Sequence, residues 1–257
     1  MEFLRRRVRD GVVLRAIGKW LNAGVMESGT VTHSDTGTPQ GGVISPLLAN
    51  VFLHEVVDTW FANTVRGVCK GGAAMVRYAD DMVIVLRREN DARRVFRVLP
   101  KRFGKYALTL HPEKTRMVVF RKPGYRREAG QMTFDFLGFT IHWGKTREGW
   151  WVVKQKTSKD RLSRTLHRIR DWCRENMHKP IRAQYEGLCQ KLLVHYSYFG
   201  VSMNSASLKR VFRQTERAWQ KWLSRRSRSG RINWDSMGKL LEQFPLPPPR
   251  ITHTFFT

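Results

Sequence analysis

Tyr78-Ala79-Asp80-Asp81 sets two adjacent carboxylates between Met75-Val76-Arg77 and Met82-Val83-Ile84-Val85-Leu86. Both flanks are short and apolar, so the stretch reads as strand, tight acidic turn, strand: a β-hairpin. Two ionised carboxylates held at one turn repel unless a cation neutralises them. Hard divalent cations such as Mg²⁺ take carboxylate oxygens and share their shell with substrate phosphates. A pair of such ions suits in-line attack of a hydroxyl on a phosphate. Acidic hairpin turns are common, and a plain solvated turn accounts for the stretch equally well. Alone, the hairpin leaves both readings open.

Upstream lies Gly37-Thr38-Pro39-Gln40-Gly41-Gly42-Val43-Ile44-Ser45-Pro46-Leu47-Leu48-Ala49-Asn50. Its Pro and Gly residues make a constrained loop that lets backbone approach a ligand. An apolar run to Trp60 follows, with Leu47, Asn50, Val51 and His54 at helical spacing. Downstream come Leu110-His111-Pro112-Glu113-Lys114-Thr115 and Phe136-Leu137-Gly138-Phe139. In this order the four segments resemble those of group II intron-encoded reverse transcriptases of the bacterial type. Tyr198-Phe199-Gly200-Val201-Ser202-Met203-Asn204, Trp222-Leu223-Ser224-Arg225-Arg226-Ser227, Asn233-Trp234 and Leu246-Pro247-Pro248-Pro249-Arg250-Ile251 are similar to their maturase domain. The likeness runs from Leu14 to Ile251.

The resemblance implies an α+β fold. Residues 1–155 would form a partial polymerase palm, a mixed or antiparallel sheet with helices, lacking the fingers and the first catalytic strand. Residues 156–245 would be an all-helical thumb or maturase domain, and 246–257 a Pro-rich tail. The implied activity is RNA-directed DNA synthesis, with a second role in binding and splicing intron RNA. Asp80 and Asp81 would hold Mg²⁺, and Tyr78 would sit against the primer end. Gln40 and Gly41 would line the incoming nucleotide, and Lys114 would contact the leaving phosphate. Phe136, Leu137 and Gly138 would grip the primer. As bare sequence, Lys114 is equally a solvated surface lysine, and 136–138 is more simply a packed β-turn. The implied partners are intron RNA, template RNA and a DNA primer.

The family carries a further catalytic Asp on a strand N-terminal to the helix that opens this chain. Of the acids preceding the Pro39-Gln40-Gly41 loop, Glu2, Asp10, Glu27 and Asp35, none stands in an apolar strand. The expectation is a chain inactive alone, with a complementing N-terminal polymerase fragment as a partner. The alternative is a non-catalytic maturase remnant that still clamps RNA.

Composition agrees with a polyanionic partner. The 257 residues hold 47 Lys and Arg against 21 Asp and Glu, a net charge of +26, which attracts nucleic acid and makes binding salt-dependent. Trp150, Trp151, Trp172, Tyr196, Tyr198, Trp219 and Trp222 interleave with the basic residues. Such rings can stack on bases, though helix-packing core is the commoner fate. Cys69, Cys173 and Cys189 form no close pair, which points to a reducing compartment. The histidines show no metal-ligand spacing. No membrane span or signal-peptide core is visible, so a cytoplasmic, bacterial protein is expected.

Periodicity predicts a basic helix over 3–22, stopped at Asn22, then a hairpin around Glu27-Ser28-Gly29. A further helix is expected from an N-cap at Asn90 to Lys105. Strands are expected at 116–120, 133–137, 139–143 and 150–154, and helices at 159–176, 181–199, 205–224 and 234–243.

Overall fold

A computed structural model describes residues 1–22, 25–27, 30–32, 44–124, 133–226 and 231–254. They form two compact units, Met1–Met117 and Val118–Thr257. The class is α+β, with small antiparallel sheets among helices. None of the described helices is long and apolar enough to cross a membrane.

In the first unit, α1 (Glu2–Arg5) and α2 (Gly11–Leu21) replace the single helix expected over 3–22. The break has a local cause. Asp10 sits in extended backbone and its Oδ1 accepts from the amides of Val12 and Val13, an N-cap that starts a new helix. Asn22 ends α2 as expected. β1 (Val25–Glu27) and β2 (Thr30–Thr32) form the expected hairpin. Gln40 and Gly41 lie outside the described residues.

α3 (Ser45–Leu53) has Pro46 in its first turn, where a missing amide is tolerated. It runs on through π-helical segments, His54–Asp58 and Phe61–Val65, into α4 (Arg66–Val68). The wider π turn slows the helix's rotation, so consecutive Val56 and Val57 are both fully buried. β3 (Ala73–Tyr78) and β4 (Asp81–Leu86) make the expected acidic hairpin. α5 (Glu89–Gly104) starts after Arg88, in extended backbone, so Asn90 stands inside the first turn rather than at the cap. Val56, Val57, Leu99 and Phe103 form one core with Met75, Met82 and Ile84 from the hairpin's inner face. Phe61, Val65, Cys69 and Val95 form another, under Ala73 and Leu86.

In the second unit, β5 (Thr133–Phe136), β6 (Phe139–Lys145) and β7 (Trp151–Thr157) form an antiparallel meander. The strand expected at 116–120 is not formed, because among the described residues no strand pairs with it and an unpaired strand leaves its amides unsatisfied. Within it, Phe120 still packs on Phe134 and Trp143, at 5.3 and 5.5 Å between ring centroids.

α6 (Lys159–Glu175), α7 (Ile181–Phe199), α8 (Ser205–Leu223) and α9 (Trp234–Gln243) match the expected helices closely. Their core centres on Leu188, Leu192, Tyr196, Leu208, Val211, Trp219 and Met237, all fully buried. Trp219 donates Nε1–H to Gln184 Oε1 at 3.0 Å, and Gln184 donates in turn to the carbonyls of Met177 and Lys179. A Cβ at Gly187 would collide with the Trp172 ring, so glycine there sets how closely α7 approaches α6. Trp219 and Tyr196 are thus core, whereas Trp150 and Tyr198 are largely exposed.

The sheet belongs to this unit by contact. Asn204 accepts from the Thr157 amide and donates to its hydroxyl, both at 2.8 Å. Contact divides the chain at Met117 and Val118, and β5–β7 pack with the helices that follow them. The Pro-rich tail carries no helix or strand over 245–250 and is docked. Leu246 is buried, and Tyr196 donates to the Pro247 carbonyl at 3.2 Å. Thr252 and His253 donate backbone amides to the Gly200 carbonyl, and Ser202 donates to the His253 carbonyl. A side chain at Gly200 would strike the Tyr196 carbonyl.

Candidate functional site

Tyr78 pairs with Asp81, which leaves Ala79-Asp80 as a two-residue loop. Ala79 has φ of 53° and Asp80 is not left-handed. Positive φ at the first loop residue alone is the II′ pattern, where glycine is usual. An L-residue there costs about 1–2 kcal/mol. Arg77, two residues earlier, holds this turn, its Nη1 donating to the Ala79 carbonyl at 2.8 Å.

The same guanidinium reaches the helix behind it. Nε and Nη2 donate to Asp58 Oδ1 and Oδ2 at 2.8 and 2.7 Å, and Nη1 also donates to Asn50 Oδ1 at 2.8 Å. A fork-to-fork pair of this kind fixes direction as well as distance. His54 Nδ1 stands 3.2 Å from Asp58 Oδ2. Asn50, His54 and Asp58, at i, i+4 and i+8, lie on one side of the helix. The hydrogen bond from Arg77 holds the Asp58 carboxyl below its usual range, against an opposing effect of burial.

Asp80 and Asp81 are both exposed. Among the described residues neither carboxylate has a hydrogen bond or ion pair through its side chain, and no cluster of three or more potential ligand side chains forms. Arg77 directs its donors to Asp58, Asn50 and Ala79 rather than to Asp80 or Asp81. The turn therefore keeps concentrated negative charge in a chain of net charge +26. That donor set fits a hard divalent cation completing its shell with water or phosphate oxygen. Tyr78 is 68 % exposed, and Val76 and Val85 on the same face are each 58 % exposed. Lys114 is also exposed, on the turn at 112–114, with no ion pair among the described residues.

The second unit holds 136–138 as a turn of another kind. Leu137 and Gly138 both have positive φ, 50° and 80°, between the paired Phe136 and Phe139. This is the I′ pattern. Leu137 meets the same left-handed penalty as Ala79, and Tyr198 donates its hydroxyl to the Leu137 carbonyl at 2.9 Å. The Tyr198 ring stacks on Phe139, with centroids 5.9 Å apart. A cavity of about 380 Å³ opens beside the turn, lined by Leu137, Tyr198 and, from α6, Arg161, Arg164 and Arg168. The three arginines repeat at helical spacing on one face and form no ion pair with a carboxylate among the described residues. A cationic row beside an exposed ring can take phosphate and base together.

The sequence reading missed Arg77, Asp58 and the arginine row. Arg77 adjoins the acidic turn, but its partners on the preceding helix are 19 and 27 residues away and are set by tertiary packing that the sequence does not display. The arginine row was legible as spacing, with nothing in the sequence to separate it from an ordinary solvated face. Asp80, Asp81, Tyr78 and Lys114 lie in the first unit, and Phe136, Leu137 and Gly138 in the second.

Residues 7–141 match the family model described as reverse transcriptase (RNA-dependent DNA polymerase). Protein YkfC of Escherichia coli is 32% identical over 34% of this chain and 29% of its own length. Group II intron-encoded protein LtrA of Lactococcus lactis is 44% identical over 20% of this chain and 8% of its own. An uncharacterized 91 kDa protein in a cob intron of Schizosaccharomyces pombe is 38% identical over 21% of this chain and 7% of its own. The chain thus spans less than a third of the length of these relatives.

Proposed function

The chain belongs to the reverse transcriptase (RNA-dependent DNA polymerase) family, and from that premise we propose that it serves a group II intron-encoded reverse transcriptase and maturase. The observation that carries this reading is the pair of exposed, uncompensated carboxylates on the Tyr78–Asp81 turn, inside the matched segment. Divalent metal, with Mg²⁺ the physiological choice, would supply charge neutralisation and an activated primer hydroxyl there. Asp80 and Asp81 hold that charge in place. Tyr78, projecting from the same face, offers a ring to the primer end. Gln40 and Gly41 line the nucleotide, and Lys114 meets the leaving phosphate. In the second unit Phe136, Leu137 and Gly138 hold the primer strand. Arg161, Arg164 and Arg168 take its phosphates, and residues 156–245 bind intron RNA.

Two-metal chemistry uses carboxylates on both sides of the ions, and Asp80 and Asp81 supply one side. The 257 residues alone should therefore not extend a DNA primer on an RNA template. Addition of the segment carrying the third carboxylate, fused or in trans, should establish Mg²⁺-dependent incorporation, and Asp80→Ala should then return it to background while RNA binding persists. Labelled-nucleotide incorporation on a homopolymer template is the measurement. Robust synthesis by the 257 residues alone would refute the need for a further carboxylate. Synthesis that survives Asp80→Ala would refute the site. RNA binding with no synthesis in either form would favour a non-catalytic RNA-binding maturase remnant.

A further inference from the structure

The metal-binding carboxylates leave unexplained why a strained, non-glycine turn is tied to a helix through one arginine, with three hydrogen bonds to the helix and one to the turn. We propose that Arg77 is a positioning residue whose fork on Asp58 and bond to the Ala79 carbonyl set the left-handed turn, and with it the divalent-cation affinity of Asp80 and Asp81. The proposal rests on the metal reading above. Ala79 at φ of 53° is a conformation that isolated hairpins reserve for glycine. Strain of this kind persists only where its surroundings over-determine it.

The surroundings here are specific. Asp58 fixes the plane of the guanidinium through two bonds, and Asn50 fixes its rotation through a third. The remaining Nη1 bond then falls on the carbonyl of the strained residue itself. The Arg77 side chain is only 11% exposed and its two bonds to Asp58 are part-buried, so water competes little for the fork. Lysine could keep the charge but not the fork, because one ammonium cannot bond both Asp58 oxygens and the turn carbonyl in a plane. Asn50 stands in α3, the helix that follows the Pro39-Gln40-Gly41 loop in sequence. The clamp therefore ties the carboxylate turn to the helix entered from that loop.

The test uses the 257-residue chain and needs no polymerase activity. Iron(II) bound at a carboxylate site is oxidised to iron(III) by added hydrogen peroxide, which splits to hydroxide and a hydroxyl radical that cuts nearby backbone, and Mg²⁺ competes for the site. Cutting should centre on 78–82, and Arg77→Lys should raise the Mg²⁺ concentration for half-protection about tenfold, the order expected when a turn strain of this class is no longer held. Asp58→Asn should act in the same direction. Adding Ala79→Gly to Arg77→Lys should restore most of the affinity, since glycine adopts the turn unaided. Amide exchange supplies a metal-free readout: in Arg77→Lys it should quicken at 79–81 while the rest of β3 and β4 stays protected.

A merely structural role predicts general loss of protection and no rescue by glycine, and either result overturns the proposal. An unchanged Mg²⁺ midpoint overturns it too. If the unaltered chain shows no cutting at the turn, the metal reading fails; quickened exchange confined to 79–81 would then keep only the turn-setting half of the inference, and its absence would remove that as well.

Discussion

Two hairpin turns in this chain solve the same backbone problem with different chemistry. At Ala79 and at Leu137 an L-residue is held in the left-handed region, and in each case a side chain donates to that residue's own carbonyl. In the first unit the donor is a charged guanidinium two residues away, anchored by a carboxylate on a π-bulged helix. In the second it is a neutral phenol from α7, 61 residues away, anchored by stacking on Phe139. The first turn sits on a sheet whose outer face is exposed at Val76 and Val85, with Val56 and Val57 the fully buried side chains behind it, whereas the second unit has a larger core of fully buried side chains. The difference teaches that an electrostatic clamp can hold a reactive turn where packing is thin, while a turn beside a dense core can use a single hydroxyl.

Acid should separate the two units most strongly. His195 is buried on α7 against Phe199, with Nε2 unpartnered, and burial pushes its pKa down to about 4. The unfolded chain therefore binds the proton first, and stability falls as pH drops from about 6.5 towards 4, by up to about 3 kcal/mol. In the first unit the lowered pKa of Asp58 leaves its contribution intact above the model-peptide value of 3.8 and removes it only below that. Thermal melts across pH, followed by Trp fluorescence and by exchange at Val56 and Val57, should show the second unit weakening first. A single shared midpoint at every pH would break the comparison.

Gly138→Ala is the next test. The residue has φ of 80°, and a Cβ would meet the Arg161 side chain at 3.3 Å. The change should cost the second unit about 1–2 kcal/mol, measured as a shift in denaturant midpoint, with no change in the first.

The turn readings show where sequence speaks and where it falls silent. The acidic hairpin was legible because two short apolar runs flank an acidic turn, and Tyr78 does pair with Asp81. The helices of the second unit were legible from their spacing and breaks. The strand expected at 116–120 failed because apolar alternation cannot reveal whether a partner strand is at hand. The 3–22 helix failed because a single capping carboxylate, Asp10, outweighs a continuous periodic face. The clamp at Arg77 was invisible because helical spacing puts Asn50, His54 and Asp58 on one side but cannot show that Arg77 of the hairpin packs against that side.

Tyr198→Phe should give the smallest effect. It removes one hydrogen bond to the Leu137 carbonyl, worth about 1 kcal/mol, and keeps the ring on Phe139. Denaturant unfolding of the second unit should show the loss equally at low and high salt. Loss of the fork at Arg77, an ionic contact, should show some salt dependence. A salt-dependent Tyr198→Phe would mean that the two clamps are less different than their geometry indicates.

The docked tail imposes an order of assembly on the second unit. Tyr196 waits for Pro247 and Thr252, and Ser197 for His253, across separations of 51 to 56 residues. During synthesis α7 can form its helical turns at once, but its C-terminal end cannot be sealed until that much further chain has emerged. Contacts of such separation close late and slowly. The growing chain therefore carries an unfinished helix end while α8 and α9 are being made, and that interval is when a chaperone or a misplaced neighbour would find it.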